Sequence, residues 1–316
     1  MDSKTVICDL RNKFSSNGWI LLIYYGITNV SLLIVAVIDA FTHSFQSPLS
    51  FEAIAKLFER SRENAWGHLL AFLISGVVLF VWKKSCTCLR SLLVRGKRMS
   101  LSVFSALCCA FFLGQAIQMF LMPSLEWVVE LFGFSSKSLM VSTAAESTTV
   151  GMILYVAVFA PLLEEVLFRG LVLKNLLPYG KKFAIFISSL LFSLIHGSII
   201  QMPFAFLTGL ILGYAAAEYG LIWSISLHMF NNLVLGEFPA LLTKMISPVY
   251  VNLAFYVLIF GSSIFFIIFA AAKWRNIADY CCESKPLSLC LKSFFTAKGV
   301  IVLLFAMLIN MVSYLI

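Results

Sequence analysis

Long apolar stretches alternate with short polar segments along the chain of 316 residues. A helix needs about 20 consecutive, mostly apolar residues to cross the hydrocarbon core of a bilayer. Nine stretches approach this length, although the fifth and the seventh are short. We therefore predict an all-α polytopic membrane protein with about eight or nine transmembrane helices. The stretches are residues 18–41, 66–82, 99–122, 149–177, 183–198, 202–219, 221–235, 249–272 and 299–316.

The composition supports this prediction and excludes a soluble domain. Hydrophobic residues make up 61% of the chain and charged residues only 12%, whereas a soluble domain carries roughly 25% charged residues. The net charge of +8 comes from basic clusters between the apolar stretches. This pattern is typical of the positive-inside rule rather than of a nucleic-acid-binding protein. We expect the lipid bilayer as a partner, and no nucleic acid.

The distribution of basic residues also predicts the orientation. With the N-terminus inside, 18 of the 23 Lys and Arg residues fall on the inner side of the membrane, as the positive-inside rule requires. We therefore predict a multi-pass protein of the cell membrane with a cytoplasmic N-terminus. The short loops favour a bacterial plasma membrane. The lack of an internal repeat favours a single membrane domain over residues 1–316.

The fourth apolar stretch contains charged residues, which are costly inside a membrane and therefore need an explanation. Glu165 and Arg169 are four residues apart, lie on one helix face and suit an internal ion pair. Taken alone, this pair favours a structural role. Glu164 is rotated by about 100° from Glu165, so it needs a partner from another helix or a position facing water. Pro161 lies one turn earlier and removes a helical backbone hydrogen bond.

Polar residues also occur in the fifth and seventh stretches. His196 follows Phe192 by four residues, so the two rings can pack side by side. His228 and Asn232 have the same spacing and share a helix face. Each histidine alone is typical of helix packing. The helical rise of about 1.5 Å per residue places these residues and Glu164 at compatible depths, which favours a shared site.

Together these residues resemble the signature motifs of the CPBP family. This family comprises CAAX prenyl endopeptidases and bacteriocin-processing or bacteriocin-immunity membrane proteins. The resemblance covers residues 149–235, which we predict to be a catalytic core in helices 4 to 7. Residues 1–148 and 236–316 match no motif and are predicted to add transmembrane helices and loops. The motifs are, in the family order, Glu164-Glu165-x-x-x-Arg169, Phe192-x-x-x-His196 and His228-x-x-x-Asn232.

The resemblance implies a CAAX-type intramembrane protease, a hydrolase that cleaves a peptide bond near the cytoplasmic leaflet. Glu164 and His196 would activate a water molecule as general base and partner. His228 and Asn232 would donate hydrogen bonds to the oxyanion of the tetrahedral intermediate. The supporting residues would be Glu165, Arg169 and Phe192.

A metal ion is left open by the resemblance. Members of this family are often described as metalloproteases, and glutamate and histidine are zinc ligands. If Zn²⁺ is bound, its candidate ligands are Glu164, His196 and His228. No His-Glu-x-x-His helix occurs in the chain, and a histidine and an asparagine four residues apart suit an oxyanion hole as well as a metal.

Two functions other than proteolysis stay open. A non-catalytic membrane regulator or bacteriocin self-immunity protein would bind another membrane protein, such as a sensor kinase, through lipid-facing helices. A transporter would use the buried charges for ion coupling, although the lack of an internal repeat disfavours it. For a protease in a bacterial membrane we expect a leader peptide, a small membrane peptide or a membrane protein as the substrate.

Overall fold

The computed structural model describes residues 3–43, 64–82, 96–133, 149–282 and 287–313. No strand occurs within these ranges, which confirms the predicted all-α class for this part of the chain. We number its helices in chain order. They are α1 (Ser3–His43), α2 (Ala65–Trp82), α3 (Leu101–Leu131), α4 (Val150–Tyr179), α5 (Lys181–Ile195), α6 (Met202–Glu218), α7 (residues 221–243), α8 (Pro248–Ala272), α9 (Trp274–Cys282), α10 (Leu287–Phe295) and α11 (Lys298–Ser313).

Four of the described helices, α1, α3, α4 and α8, are long and apolar enough to cross a membrane. Shorter apolar helices lie at Ala65–Leu79, Met202–Glu218 and Lys298–Val312. The predicted total of eight or nine spans therefore stays a prediction. Large apolar side chains on α8 are exposed rather than packed, as expected of a helix surrounded by lipid. They include Val249, Leu253, Val257, Ile264 and Ile268.

Three helices extend well beyond their predicted limits. Helix α1 begins at Ser3 rather than near residue 18. Helix α3 continues through Pro123 to Leu131 rather than ending near residue 122. Helix α7 continues to residue 243 rather than 235. The predicted ends lay where apolar residues give way to polar ones, but a helix continues wherever its backbone hydrogen bonds continue. The last predicted stretch ends at residue 316, and residues 314–316 lie outside the described part.

Helices α4 and α7 are not regular α-helices. Helix α4 contains π-helical turns at Tyr155–Phe159 and Val166–Leu173, and α7 contains one at Asn232–Glu237. In a π turn the N–H of residue i+5 donates to the carbonyl of residue i, which widens the helix and rotates the side chains that follow. Such turns are rare and occur mostly at functional sites. Here they adjoin the polar residues of the predicted motifs.

The main hydrophobic core lies where α1 and α11 pack against α4 and α5. Phe14 of α1 makes edge-to-face contacts with Phe183 and Phe294, at ring-centroid distances of 5.9 and 5.3 Å. Aromatic rings prefer this arrangement because the positive edge of one ring meets the negative face of the other. The core therefore holds the N-terminal helix against the helices that carry the first two motifs. Other buried members are Leu167, Phe168, Val172, Leu191, Phe192, Val300 and Leu303.

Helices α5 and α6 approach each other closely because glycines face the contact. A Cβ atom added to Gly209 would lie 2.9 Å from the Cβ atom of Ser189, and one added to Gly213 would lie 3.0 Å from a methyl carbon of Ile185. Cβ atoms essentially never come as close as 2.9 Å. The close approach leaves the backbone of α6 next to α4, where it contributes to the candidate site.

The crossing of α1 and α11 also depends on a glycine pair, which gives a test of the fold. A Cβ atom on Gly18 would lie 2.3 Å from the carbonyl carbon of Gly299. We expect Gly18→Ala to lower the free energy of unfolding by about 1–3 kcal/mol, because two backbones must move apart. Thermal unfolding of the purified protein measures this loss.

Gly26→Ala is the matched control, since it lies in the same helix and an added Cβ atom has no neighbour within 4 Å. Alanine also favours a helix more than glycine does, so this control should be neutral or stabilising. Equal losses of stability in the two variants would contradict the proposed packing.

Candidate active site

The predicted ion pair within α4 is present and fully buried. Arg169 Nη1 donates to Glu165 Oε1 at 2.8 Å, and both side chains have 0% relative exposure. Arg169 Nη2 donates to the carbonyl oxygen of Gly209 in α6 at 3.1 Å. The guanidinium carbon also lies 4.5 Å from the ring centre of Phe192. A charge this deeply buried is tolerated only when it is paired and hydrogen-bonded. These contacts supply the pair and two hydrogen bonds, while Nε of Arg169 has no hydrogen-bond partner in the described part of the chain.

The Glu165 carboxylate contacts two further polar groups, both from α7. Nδ1 of His228 lies 2.9 Å from Glu165 Oε1, and the hydroxyl of Ser224 donates to Glu165 Oε2. The Ser224 oxygen also lies 2.9 Å from the carbonyl oxygen of Leu212. An ionised carboxylate only accepts hydrogen bonds, so Nδ1 of His228 carries a proton. The other ring nitrogen, Nε2, is then the one available for chemistry.

Glu164 has different surroundings from its neighbour. Its side chain is 19% exposed, and its Oε2 lies 3.8 Å from Nε2 of His228. It also interacts electrostatically with His196. The two adjacent glutamates therefore meet opposite nitrogens of one imidazole: Glu165 contacts Nδ1 and Glu164 faces Nε2.

His196 lies directly after the last residue of α5. Its Nδ1 is 2.7 Å from the carbonyl oxygen of Phe192. Because a carbonyl oxygen accepts, this nitrogen also carries a proton and leaves Nε2 available. The ring of Phe192 makes edge-to-face contacts with both imidazoles, at 4.8 Å for His196 and 5.6 Å for His228. Phe192 is therefore packed against both histidines of the site.

Asn232 begins the π turn of α7, one helical turn after His228. Its Nδ2 donates to the carbonyl oxygen of Val156 in α4 at 2.9 Å. Its Oδ1 accepts a hydrogen bond from the side-chain amide of Asn231 at 3.1 Å. The side chain thus links α7 to α4 on the N-terminal side of Glu164.

Some residues around the site were not found by the sequence patterns. Ser224 precedes His228 by the same four residues that separate His228 from Asn232. Continuing this spacing one turn towards the N-terminus would have identified Ser224. Tyr24 of α1 and Tyr155 of α4 also lie near Glu164. No spacing identifies Tyr24, because it lies in α1, far from the motifs along the chain.

The donor set does not fit a metal ion as the side chains stand. Within the described ranges, no three His, Cys, Asp or Glu side chains are placed to share a metal. Nδ1 of each histidine is engaged, one by the Phe192 carbonyl and the other by the Glu165 carboxylate, so the nitrogen that each ring leaves open to a ligand is Nε2.

A comparison with protein families finds a match in the part of the chain that carries the candidate site. The family model described as type II CAAX prenyl endopeptidase Rce1-like matches residues 146–234. This match confirms the resemblance to the CPBP family of CAAX-type proteases. Together with the apolar helices, it points to a multi-pass membrane protein. No curated protein and no solved structure matches the chain. The matched residues overlap the range 149–235, for which a catalytic core is predicted.

The buried pair predicts a large effect on stability. Arg169→Ala leaves the Glu165 carboxylate buried without its cation, and we expect the free energy of unfolding to fall by about 3–5 kcal/mol. Chemical or thermal unfolding in detergent measures the loss.

Lys97→Ala is the control for this variant. Lys97 also pairs with a buried carboxylate, that of Glu218, at 2.7 Å, but the lysine is 73% exposed, and Lys181 contacts the same carboxylate. We expect a much smaller loss, since water screens an exposed charge. Comparable losses in the two variants would argue against an essential buried pair.

Proposed function

We propose that this protein is an intramembrane endopeptidase that hydrolyses a peptide bond of a peptide or membrane-protein substrate near the cytoplasmic leaflet. The family match supports a CAAX-type protease. The observation that carries the proposal is the position of Glu164, whose Oε2 lies 3.8 Å from His228 Nε2. A partly exposed carboxylate beside two imidazoles is suited to taking a proton from water.

In the first step, Glu164 acts as general base on a water molecule, with His196 as its partner. One proton of the water passes to the Glu164 carboxylate, and the water oxygen forms a bond to the carbonyl carbon of the substrate. The electron pair of the C=O double bond moves to the carbonyl oxygen. Nε2 of His196 is free to accept a hydrogen bond from the water, because Nδ1 donates to the Phe192 carbonyl. This contact orients the attacking oxygen.

In the second step, His228 and Asn232 stabilise the negative charge on the carbonyl oxygen. Nδ1 of His228 already carries a proton, so this step requires the ring to take a second proton, from solvent before the substrate binds, for Nε2 to donate. The buried Glu165 carboxylate stabilises that imidazolium, as the carboxylate of a catalytic triad does. The C–N bond then breaks, and the proton held by Glu164 passes to the leaving nitrogen. The products are a new carboxyl group and a new amine.

The surroundings strengthen these interactions. His228 is 3% exposed and Glu165 is 0% exposed, so little water competes for their hydrogen bonds. Electrostatic interactions are stronger in such a medium than in water, and donors held in place need no reorganisation during the reaction. Arg169 balances one negative charge of the glutamate pair, which leaves the other charge to Glu164.

The first test of the proposal replaces the residues that activate the water. We expect Glu164→Ala to abolish cleavage because it removes the base, and His196→Ala to abolish it because the attacking water loses the group that orients it. Both variants should still reach the membrane, because neither residue is part of the buried ion pair. Comparative proteomics of membrane peptides, wild type against Glu164→Ala, identifies a substrate, and the purified proteins are then assayed on it.

Glu126→Gln is the control, a glutamate of α3 outside the site. Cleavage by both purified Glu164 and His196 variants would contradict the mechanism. A Glu164→Ala variant that keeps the full biological role would favour the alternative of a non-catalytic membrane regulator.

The second test concerns the hydroxyl that holds Glu165. Ser224→Ala removes this donor and loosens the carboxylate that orients His228. We expect kcat to fall by about 10- to 100-fold, since small displacements of a catalytic group have effects of this size. Ser224→Thr keeps the hydroxyl and should recover most of the activity.

Ser226→Ala, two residues along the same helix, is the matched control. Ser226 is exposed, and its hydroxyl donates to the carbonyl of Ile222 within its own helix at 2.9 Å. We expect this variant to cleave like the wild type. Equal kcat values for the two alanine variants would show that Ser224 does not support the site.

A further inference from the structure

One backbone carbonyl of α4 has no donor available within its own helix. In the π turn at Tyr155–Phe159, the N–H of Ala160 donates to the carbonyl of Tyr155. The next carbonyl in this i+5 register belongs to Val156, and its donor would be residue 161. That residue is Pro161, which has no N–H. The α-helical alternative, the N–H of Ala160, is already engaged. The Val156 carbonyl therefore needs a partner from outside α4.

Asn232 of α7 supplies that partner. Its Nδ2 donates to the Val156 carbonyl at 2.9 Å, and its Oδ1 accepts from Asn231 at 3.1 Å. A primary amide has two N–H groups and one oxygen. Because the oxygen and one N–H are held by neighbours, the plane of the amide is set, and the second N–H points in a defined direction.

We propose that Pro161 is a positioning residue for Asn232: by leaving the Val156 carbonyl without a helical donor, it creates the acceptor that orients the Asn232 amide. This inference rests on the proposed function, in which the second N–H of that amide donates to the oxyanion. A donor oriented before the reaction stabilises developing charge more than a mobile one. Pro161 thus acts through Asn232 and does not touch the substrate.

Pro161→Ala tests the proposal because it returns an N–H to position 161. The new N–H competes with Asn232 for the Val156 carbonyl, and the amide loses its anchor. We expect kcat to fall about tenfold, with KM nearly unchanged because no substrate contact is removed. Pro203→Ala is the control: Pro203 lies in the first turn of α6, where an N–H has no helical acceptor, so its kcat should equal that of the wild type.

A double-mutant cycle separates positioning from a general effect on the helix. We expect Asn232→Ala to lower kcat by about 100-fold or more, as the loss of an oxyanion donor does. In the Asn232→Ala background, Pro161→Ala should have no further effect on kcat, since there is no amide left to orient. Asn232→Asp, which keeps the shape but loses the donor, should behave as Asn232→Ala does. Independent, multiplicative effects of the two substitutions would overturn the proposal.

The same cycle on thermal stability needs no protease activity. In the wild type, Asn232→Ala leaves the Val156 carbonyl without a donor, and we expect Tm to fall by about 2–4 °C. With Pro161→Ala present, the backbone satisfies that carbonyl, and Asn232→Ala should leave Tm nearly unchanged. Equal Tm losses in both backgrounds would overturn the inference even if cleavage depends on Glu164. If the Tm cycle behaves as expected but the wild type cleaves no peptide, the inference about the amide is supported and the proposed function fails.

Discussion

A carboxylate buried away from water must receive hydrogen bonds from the protein, and the Glu165 carboxylate places this constraint on three helices. Its donors are Arg169 of the same helix and two residues of α7, His228 and Ser224. Arg169 in turn requires the Gly209 carbonyl of α6. Loss of any one partner leaves a polar or charged group unsatisfied in a medium that cannot replace it. The same contacts therefore hold α4, α6 and α7 together and balance the buried charges of the site.

This constraint also sets the orientation of the His228 ring. Holding Nδ1 of His228 against Glu165 turns Nε2 of the same ring toward Glu164. Two neighbouring glutamates thereby acquire different properties: Glu165 is enclosed and charge-balanced by Arg169, whereas Glu164 is partly exposed. Enzymes commonly give separate roles to two similar ionisable side chains by placing them in unequal surroundings.

The π turns add positions that a regular helix does not offer. They lie next to the motif residues in both α4 and α7, and they change which side chains share a face. At Tyr155–Phe159 the wider register also places a carbonyl opposite Pro161, so that the Val156 oxygen is bonded by Asn232 of another helix. Departures from regular helix geometry at the candidate site thus provide specific contacts between helices.

Three features were predictable from the sequence alone: the all-α class, the resemblance to CAAX-type proteases and the pairing of Glu165 with Arg169. Each of these follows from composition, from motif residues or from a spacing of four within one helix. Other contacts became evident only from the packing of the helices: His228 lies between both glutamates, Ser224 donates to the Glu165 carboxylate, and α7 reaches the backbone of α4. These contacts join different helices, and the π turns rotate the faces that regular spacing predicts. Helical periodicity specifies which residues share a face, but not which face of another helix they will meet.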